Sequence, residues 1–334
     1  MFTAATAGRD ATARILAVRL GAMGDIIHAL PAVATLKQNF PQAELWWAVE
    51  PKWAALLEGN PFVDRILLVD RSWQGLAGTL SRLRAQRFEW AVDFQGLVKS
   101  ALVASVARTE RIFGFHRSQV RERPAALFYS TQVHARSAHV VDRNLELAAA
   151  TGASTIVHAF PIPPGRPEGE LPEGAFVLAN PLAGWAAKQW PLEYYGALAR
   201  LLRRHWGLPL VVNGPPEAKP VLEQIPESWV HVSGLPGLLD ATRRAAAVVG
   251  IDSGPIHLAA ALGKPGVAIF GPTDPARNGP YGDSVTVLRA AEAKTCYQRG
   301  RREDDSMRAV APETVFEALA ARLAVRSQSA GSGS

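Results

Sequence analysis

The sequence predicts two α/β domains of similar size, each a parallel sheet with helices on both faces. Three observations lead there. The length, 334 residues, corresponds to roughly two domains at about 150 residues each. Short apolar, β-branched runs alternate with stretches of helical spacing in both halves, the pattern of repeated strand–helix units. Between the halves lies 161–174, whose five prolines and three glycines exclude a regular helix or a central strand. That segment reads as a linker, with domains at 1–160 and 175–326. Apolar residues make up 48% and charged residues 20%, a globular and not a disordered balance.

In the first half, 14–19 (Arg-Ile-Leu-Ala-Val-Arg) predicts a strand, followed by the small-residue turn 20–24 and a helix over 25–37. Asp25 stands where an N-cap would stand. Strands are expected at 43–49, 65–69 and 90–93. The last ends in the polar turn Phe94-Gln95-Gly96, before a helix from about Leu97. After the linker the alternation restarts: strand 175–179, helix 192–205, strands 209–212 and 246–251, helix 256–262, strand 266–270. An amphipathic helix over 312–324 closes the pattern, and 327–334, small and polar, reads as a flexible tail.

Composition narrows the function classes. One cysteine, Cys296, excludes an internal disulfide framework and any Cys-only metal site within the chain. No uninterrupted apolar stretch reaches the length of a membrane span. The N-terminus has no apolar signal region, so a cytoplasmic location is expected. The formal charge of +6 is concentrated in residues 1–160, which hold 18 Lys/Arg against 13 Asp/Glu. Such a surplus serves solubility or an anionic partner. Nucleic acid is not that partner, since no basic run interleaves with aromatic residues.

Three strand-to-helix turns carry the candidate chemistry. Gly21-Ala-Met-Gly-Asp25 lets a ligand approach backbone, and its carboxylate reads as either a helix cap or a general base. Asn180 to Pro191 places Lys188 in a loop of glycine, proline and tryptophan, either solvated or on a phosphate. Asp252-Ser253-Gly254 ends a strand and opens a helix, whose free N–H groups suit a diphosphate. His257 follows one turn later. No G-x-G-x-x-G and no P-loop occurs, which argues against a nicotinamide-dependent dehydrogenase. Paired domains with such turns suit nucleotide-dependent enzymes and also two-lobed, non-catalytic sugar- or nucleotide-binding proteins.

The run Asp252-Ser-Gly-Pro-Ile-His-Leu-Ala-Ala-Ala-Leu-Gly-Lys-Pro265, with Ile269-Phe-Gly-Pro-Thr-Asp274, resembles the donor-binding motif of the ADP-heptose:lipopolysaccharide heptosyltransferases, glycosyltransferase family nine. Leu20-Gly-Ala-Met-Gly-Asp-Ile-Ile-His-Ala-Leu-Pro31 is similar to that family's first loop. Asp93 to Ser100, Gly114-Phe and Arg121 to Tyr129 resemble the branch that adds the first heptose to Kdo-lipid A. The likeness runs from about Arg14 to about Leu323.

The resemblance implies the GT-B architecture, two Rossmann-like domains with sheets facing across a cleft. It implies inversion at the anomeric carbon, ADP-heptose as donor and no obligatory metal or other cofactor. Asp25 takes the place of the catalytic base. Lys188 matches the lysine on the donor phosphates; Asp252, Ser253, Gly254 and His257 match the loop and helix that hold ADP and heptose. Glu217 falls near an acid on the adenosine ribose. Ala183 and Gly184 stand where the branch commonly has a Thr-Thr pair, so two hydroxyl contacts to phosphate are replaced by a tighter loop. On the acceptor side stand Gly24, Arg71, Gln95, Lys99 and Arg121. Arg108, Arg111, Arg117, Arg121 and Arg123 suit an acceptor with Kdo carboxylates and lipid A phosphates, and an anionic inner-membrane surface. A lone Cys296 argues against the iron-bound, protein-modifying branch, which uses several cysteines. A family member acting on a second heptose or another glycan is the alternative.

Overall fold

A computed structural model describes residues 13–70, 73–296 and 304–331. The first half runs β1 (Arg14–Val18), α1 (Met23–Asn39), β2 (Glu44–Val49), β3 (Arg65–Leu68), α2 (Trp73–Arg84), β4 (Trp90–Asp93), α3 (Val98–Val106), β5 (Arg111–Phe115), β6 (Thr131–Val133) and α4 (Val140–Ala149). The second half runs β7 (Val177–Asn180), α5 (Leu192–Trp206), β8 (Leu210–Gly214), α6 (Lys219–Leu222), β9 (Trp229–Val232), α7 (Leu235–Arg244), β10 (Ala247–Ile251), α8 (Gly254–Ala261), β11 (Gly266–Phe270), α9 (Pro275–Asn278) and β12 (Val285–Arg289). The helices α10 (Asp305–Arg308) and α11 (Pro312–Gly331) follow.

Two six-stranded sheets result, ordered β3-β2-β1-β4-β5-β6 and β12-β11-β10-β7-β8-β9. Every neighbouring pair is parallel. The strands that read as continuous apolar runs are the central ones. β10 (AVVGI) and β11 (GVAIF) are buried along their whole length, because helices cover both faces. α5 ends at Gly207, whose φ of 65° closes the last turn in the left-handed region where a side chain would strain.

Both sheets reverse their strand order once, between β1 and β4 and between β10 and β7. Ligands of doubly wound sheets bind beyond the carboxyl ends of strands at such switch points. The turns that leave those four strands are 19–22, 94–97, 252–253 and 181–191. They include all three turns singled out from sequence, so topology and motif converge on one place.

The connecting chain is bonded at both ends. The Asn39 Oδ1 accepts the N–H groups of Ser154 and Thr155 at 3.0 Å, and Thr35 Oγ1 accepts that of Val157 at 2.9 Å. Further on, Arg243 donates to the Ile162 carbonyl at 2.5 Å, and Glu168 accepts the Gly234 N–H at 2.7 Å. The proline-rich segment thus lies along the flank of the second sheet.

Two expectations are corrected. α1 begins two residues before Asp25: Ala22 is its N-cap and Asp25 its third helical residue, whose carboxylate reaches back to the Ala22 N–H at 3.2 Å. The Asp25 carboxylate, by accepting the Ala22 N–H from the third helical position, closes the first turn there. α11 runs to Gly331, past the expected end at 324 and into the segment read as a flexible tail. Ala, Val, Arg, Ser and Gln between 324 and 330 all tolerate helix, and the first strong breaker is Gly331 itself.

Candidate active site

On the first sheet, the chain leaving β1 places Arg19 under α1. Arg19 is only 7% exposed. One guanidinium nitrogen donates to the Phe94 carbonyl, on the turn after β4. Its Nη2 meets Asp25 Oδ2 at 2.6 Å. The Asp25 side chain is 40% exposed, and its partners Arg19 and the Ala22 N–H both engage Oδ2. Among the described residues Oδ1 has no hydrogen-bond partner, and it lies at the start of a helix, where the aligned peptide dipoles favour an anion.

The turn after β4 is fixed from below. Asp93 is fully buried and accepts from Tyr129 Oη at 2.7 Å, Ser100 Oγ at 2.8 Å and the Gln95 N–H at 2.8 Å. Burial pushes its carboxyl up, and these hydrogen bonds only partly oppose that. Gln95 Oε1 in turn accepts the Leu20 N–H at 2.8 Å, tying the two switch-point turns together. Lys99 and Lys52 hold their ammonium groups 3.6 Å and 3.7 Å from the buried Glu50 carboxylate.

On the second sheet, Asp252 is the centre. Its Oδ2 lies 2.5 Å from Lys188 Nζ; its Oδ1 lies 3.6 Å from His257 Nε2 and 3.3 Å from Asn278 Nδ2. Lys188 also sits over the Trp185 ring at 4.6 Å. Burial pushes the Asp252 carboxyl up, but His257 and the Lys188 ammonium outweigh it and hold it well below the usual carboxylate range. Ser253 caps α8 through its backbone, and its buried hydroxyl has no protein partner among the described residues. Among the described residues, no three His, Cys, Asp or Glu side chains are placed to hold a metal ion.

The two sites meet where the amino ends of α1 and α8 touch. A Cβ on Gly24 would lie 2.6 Å from His257 Cδ2, and one on Gly254 would lie 2.7 Å from Met23 Cβ. Only glycine permits this approach. Gly24 therefore packs beneath His257 and offers no side chain to a ligand. Gly24→Ala is expected to force α1 and α8 apart and to cost about 1–3 kcal/mol, the usual range for overpacking. Urea unfolding of wild type and variant measures it, and an unchanged midpoint would refute the tight approach.

His28 on α1 lies between His257, at 4.4 Å ring to ring, and His139, at 5.6 Å. Burial holds the His28 imidazole well below its ordinary value. His257, His139 and Arg19 add to that, and Asp252 opposes it. Folded His28 thus stays neutral where unfolded His28, with a pKa near 6.5, takes a proton. The unfolded state then binds more protons, so stability falls as pH drops below about 6.5, by at most about 1.4 kcal/mol per pH unit for one group. His28→Gln is expected to flatten that acid slope in denaturation midpoints measured from pH 7 to pH 5. Parallel slopes would show that His28 is not the group responsible.

The remaining candidates lie further out. Glu217 is exposed on the turn after β8, and no bond joins it to Lys188 or Asp252 among the described residues. The Ala183 carbonyl accepts from Gln189 Nε2 at 3.3 Å, while Gly184 faces open space. Arg117, Arg121 and Arg123 are exposed on the connection after β5; Arg108, just before that strand, and Arg111, its first residue, are exposed as well. Arg71 lies outside the described residues. Sequence reasoning missed Arg19, Glu50, His28 and Asn278. Arg19 and His28 flank the Gly21–Asp25 turn, and that proximity was the available signal.

Three comparisons bear on this site. The model of Glycosyltransferase family 9 (heptosyltransferase) matches residues 79–307. Lipopolysaccharide heptosyltransferase 1 of Escherichia coli K12 is 31% identical over 304 residues, covering 83% of this chain and 93% of that protein. The structure of E. coli heptosyltransferase WaaC with ADP superposes with a TM-score of 0.75 at 26% identity, over 92% of this chain and 99% of that one. The same enzyme with ADP-2-deoxy-2-fluoro heptose gives 0.71 at 26% identity, over 91% and 98%.

Proposed function

The chain belongs to glycosyltransferase family 9, and from that premise we propose that it moves heptose from ADP-heptose to a Kdo hydroxyl of Kdo-lipid A, with inversion. One observation carries the reading: a partly exposed carboxylate on the first sheet and an ammonium beside a helix N-terminus on the second converge on the α1–α8 junction. An inverting transfer needs its base and its leaving diphosphate on opposite faces of the sugar. Asp25 Oδ1 takes the proton of the acceptor hydroxyl as that oxygen bonds to the anomeric carbon. The bond from that carbon to the diphosphate breaks, and its electron pair leaves with ADP. Lys188 and the first N–H groups of α8 neutralise the departing charge, so the scheme routes no step through a metal ion. Ser253, Gly254 and His257 line the donor side, and Glu217 is assigned to the adenosine ribose.

The acceptor is assigned to the first half, where Gln95 lies on the turn after β4, Lys99 in the first turn of α3 and Arg121 on the connection after β5. Among the described residues no helix is long and apolar enough to cross a membrane. Leu127 is 86% exposed on the turn Arg123–Phe128, beside Arg121 and Arg123. An exposed apolar side chain a few residues from two exposed arginines supports peripheral binding to an anionic membrane face in the cytoplasm, where this acceptor would be presented.

The test is turnover with ADP-heptose and Kdo-lipid A, following ADP release and product mass together. A product heavier by one heptose supports donor and acceptor alike. ADP release without that product moves the acceptor elsewhere. ADP binding with neither release nor product overturns the enzymatic reading.

A further inference from the structure

We infer that Arg19 is a positioning residue for the base, holding the Asp25 carboxylate by one oxygen so that the other faces the acceptor. The inference rests on the reading of Asp25 as base. It starts from an arginine that packing alone does not explain. Arg19 is nine-tenths buried, and a buried guanidinium is costly unless its partners are well placed. Its partners are few and directional. One end of its planar fork is fixed on the Phe94 carbonyl, and the other presents Nη2 to Asp25 Oδ2 at 2.6 Å. Nε has no partner among the described residues. The burial thus serves the two ends of the fork, not a saturated network.

Both ends are anchored in rigid parts of the fold. The Phe94 carbonyl belongs to the turn that Asp93 pins through the Gln95 N–H and, from beneath, through Tyr129 and Ser100. The Arg19 carbonyl accepts from Trp47 Nε1 at 3.2 Å, on the neighbouring strand. Arg19 therefore measures a fixed distance from the β4 turn to α1. Asp25 is 40% exposed, and its only other partner among the described residues is the Ala22 N–H, on the same oxygen. Without Arg19 the carboxylate keeps one local contact and gains rotational freedom. A base must approach its proton within hydrogen-bond reach, and misplacement by about 1 Å can cost about 10²-fold in rate.

The test uses the full chain with Arg19→Met, Arg19→Lys, Asp25→Asn and the Arg19→Met/Asp25→Asn double variant. Expected for Arg19→Met is a kcat about 10²-fold lower, with ADP affinity unchanged. Arg19→Lys should fall between that variant and wild type, because lysine keeps the charge but not the fork. The double variant should lose no more than Asp25→Asn alone, since Arg19 acts only through that carboxylate. A purely structural role predicts the opposite: losses that multiply, and ADP affinity falling with kcat. Should Arg19→Met fail to fold, Arg19→Lys at wild-type kcat, or with ADP affinity reduced in step, overturns the inference. Full turnover by Asp25→Asn defeats the base assignment itself. Loss of turnover in Asp25→Asn with none in Arg19→Met defeats the Arg19 inference alone.

Discussion

Asp25→Asn is expected to lower kcat by about 10³-fold, within the range that a positioned general base supplies, while ADP binds with wild-type affinity. The amide keeps the shape of the carboxylate and one oxygen. That oxygen can still accept from the Ala22 N–H and from Arg19 Nη2, which now lie 3.2 Å and 2.6 Å from Oδ2. The start of α1 therefore survives, at the cost of one favourable charge on the helix dipole, about 0.3–1 kcal/mol. What is lost is the ability to take a proton. In the proposed scheme ADP is held by the second sheet, so its affinity is expected to survive the change. A calorimetric titration with ADP, beside single-turnover rates with saturating substrates, separates the two. Retained turnover removes Asp25 as base; lost turnover together with lost ADP affinity reassigns it to the donor site.

The fold was legible where burial is symmetric. β1, β7, β10 and β11 sit in the middle of their sheets, covered on both faces, so they read as unbroken apolar runs. Of the edge strands, β3 was legible at 65–69, whereas β6, β9 and β12 were not. β6 has three residues, and β12 mixes Thr and Arg into an edge strand, so neither carries a run long enough to stand out. The site was legible at its turns, because a helix N-terminus that admits a ligand needs glycine, proline and small residues, and these punctuate a sequence. Its internal wiring was not. Arg19 looks like the polar end of a strand until β4 brings the Phe94 carbonyl to it from 75 residues away. Gly24 looks like an ordinary turn glycine until α8 brings His257 onto it. In both cases the decisive partner comes from another strand–helix unit, and nothing local announces it.

The Lys188–Asp252 pair leads to the second large effect. Lys188→Met is expected to weaken ADP binding by about 10²-fold and to lower kcat further. A charge-assisted contact is worth about 1.5–3 kcal/mol, and each 1.4 kcal/mol is tenfold. The ammonium is not the whole of it. Asp252 is a buried carboxylate on the side assigned to the diphosphate, where it would repel the donor if it stood alone. It is tolerated because Lys188 at 2.5 Å and His257 at 3.6 Å face its two oxygens. Removing Lys188 both deletes a cation and uncovers an anion. The double variant Lys188→Met/Asp252→Asn should therefore bind ADP more tightly than Lys188→Met alone, although it has lost one more native side chain. Equal or weaker binding by the double variant would mean that Lys188 acts only by touching phosphate. The same pair sets an acid limit. A carboxyl held below its usual range adds stability that is complete above the unfolded value, near 3.9, and fades as pH falls through the lower folded one. In Lys188→Met that folded value rises, so part of this stability is already missing at neutral pH, and acid unfolding should begin at a higher pH than in the wild type. Circular dichroism followed from pH 7 to pH 2 detects the shift. Coincident curves would mean that His257 and Asn278 alone hold Asp252 ionised.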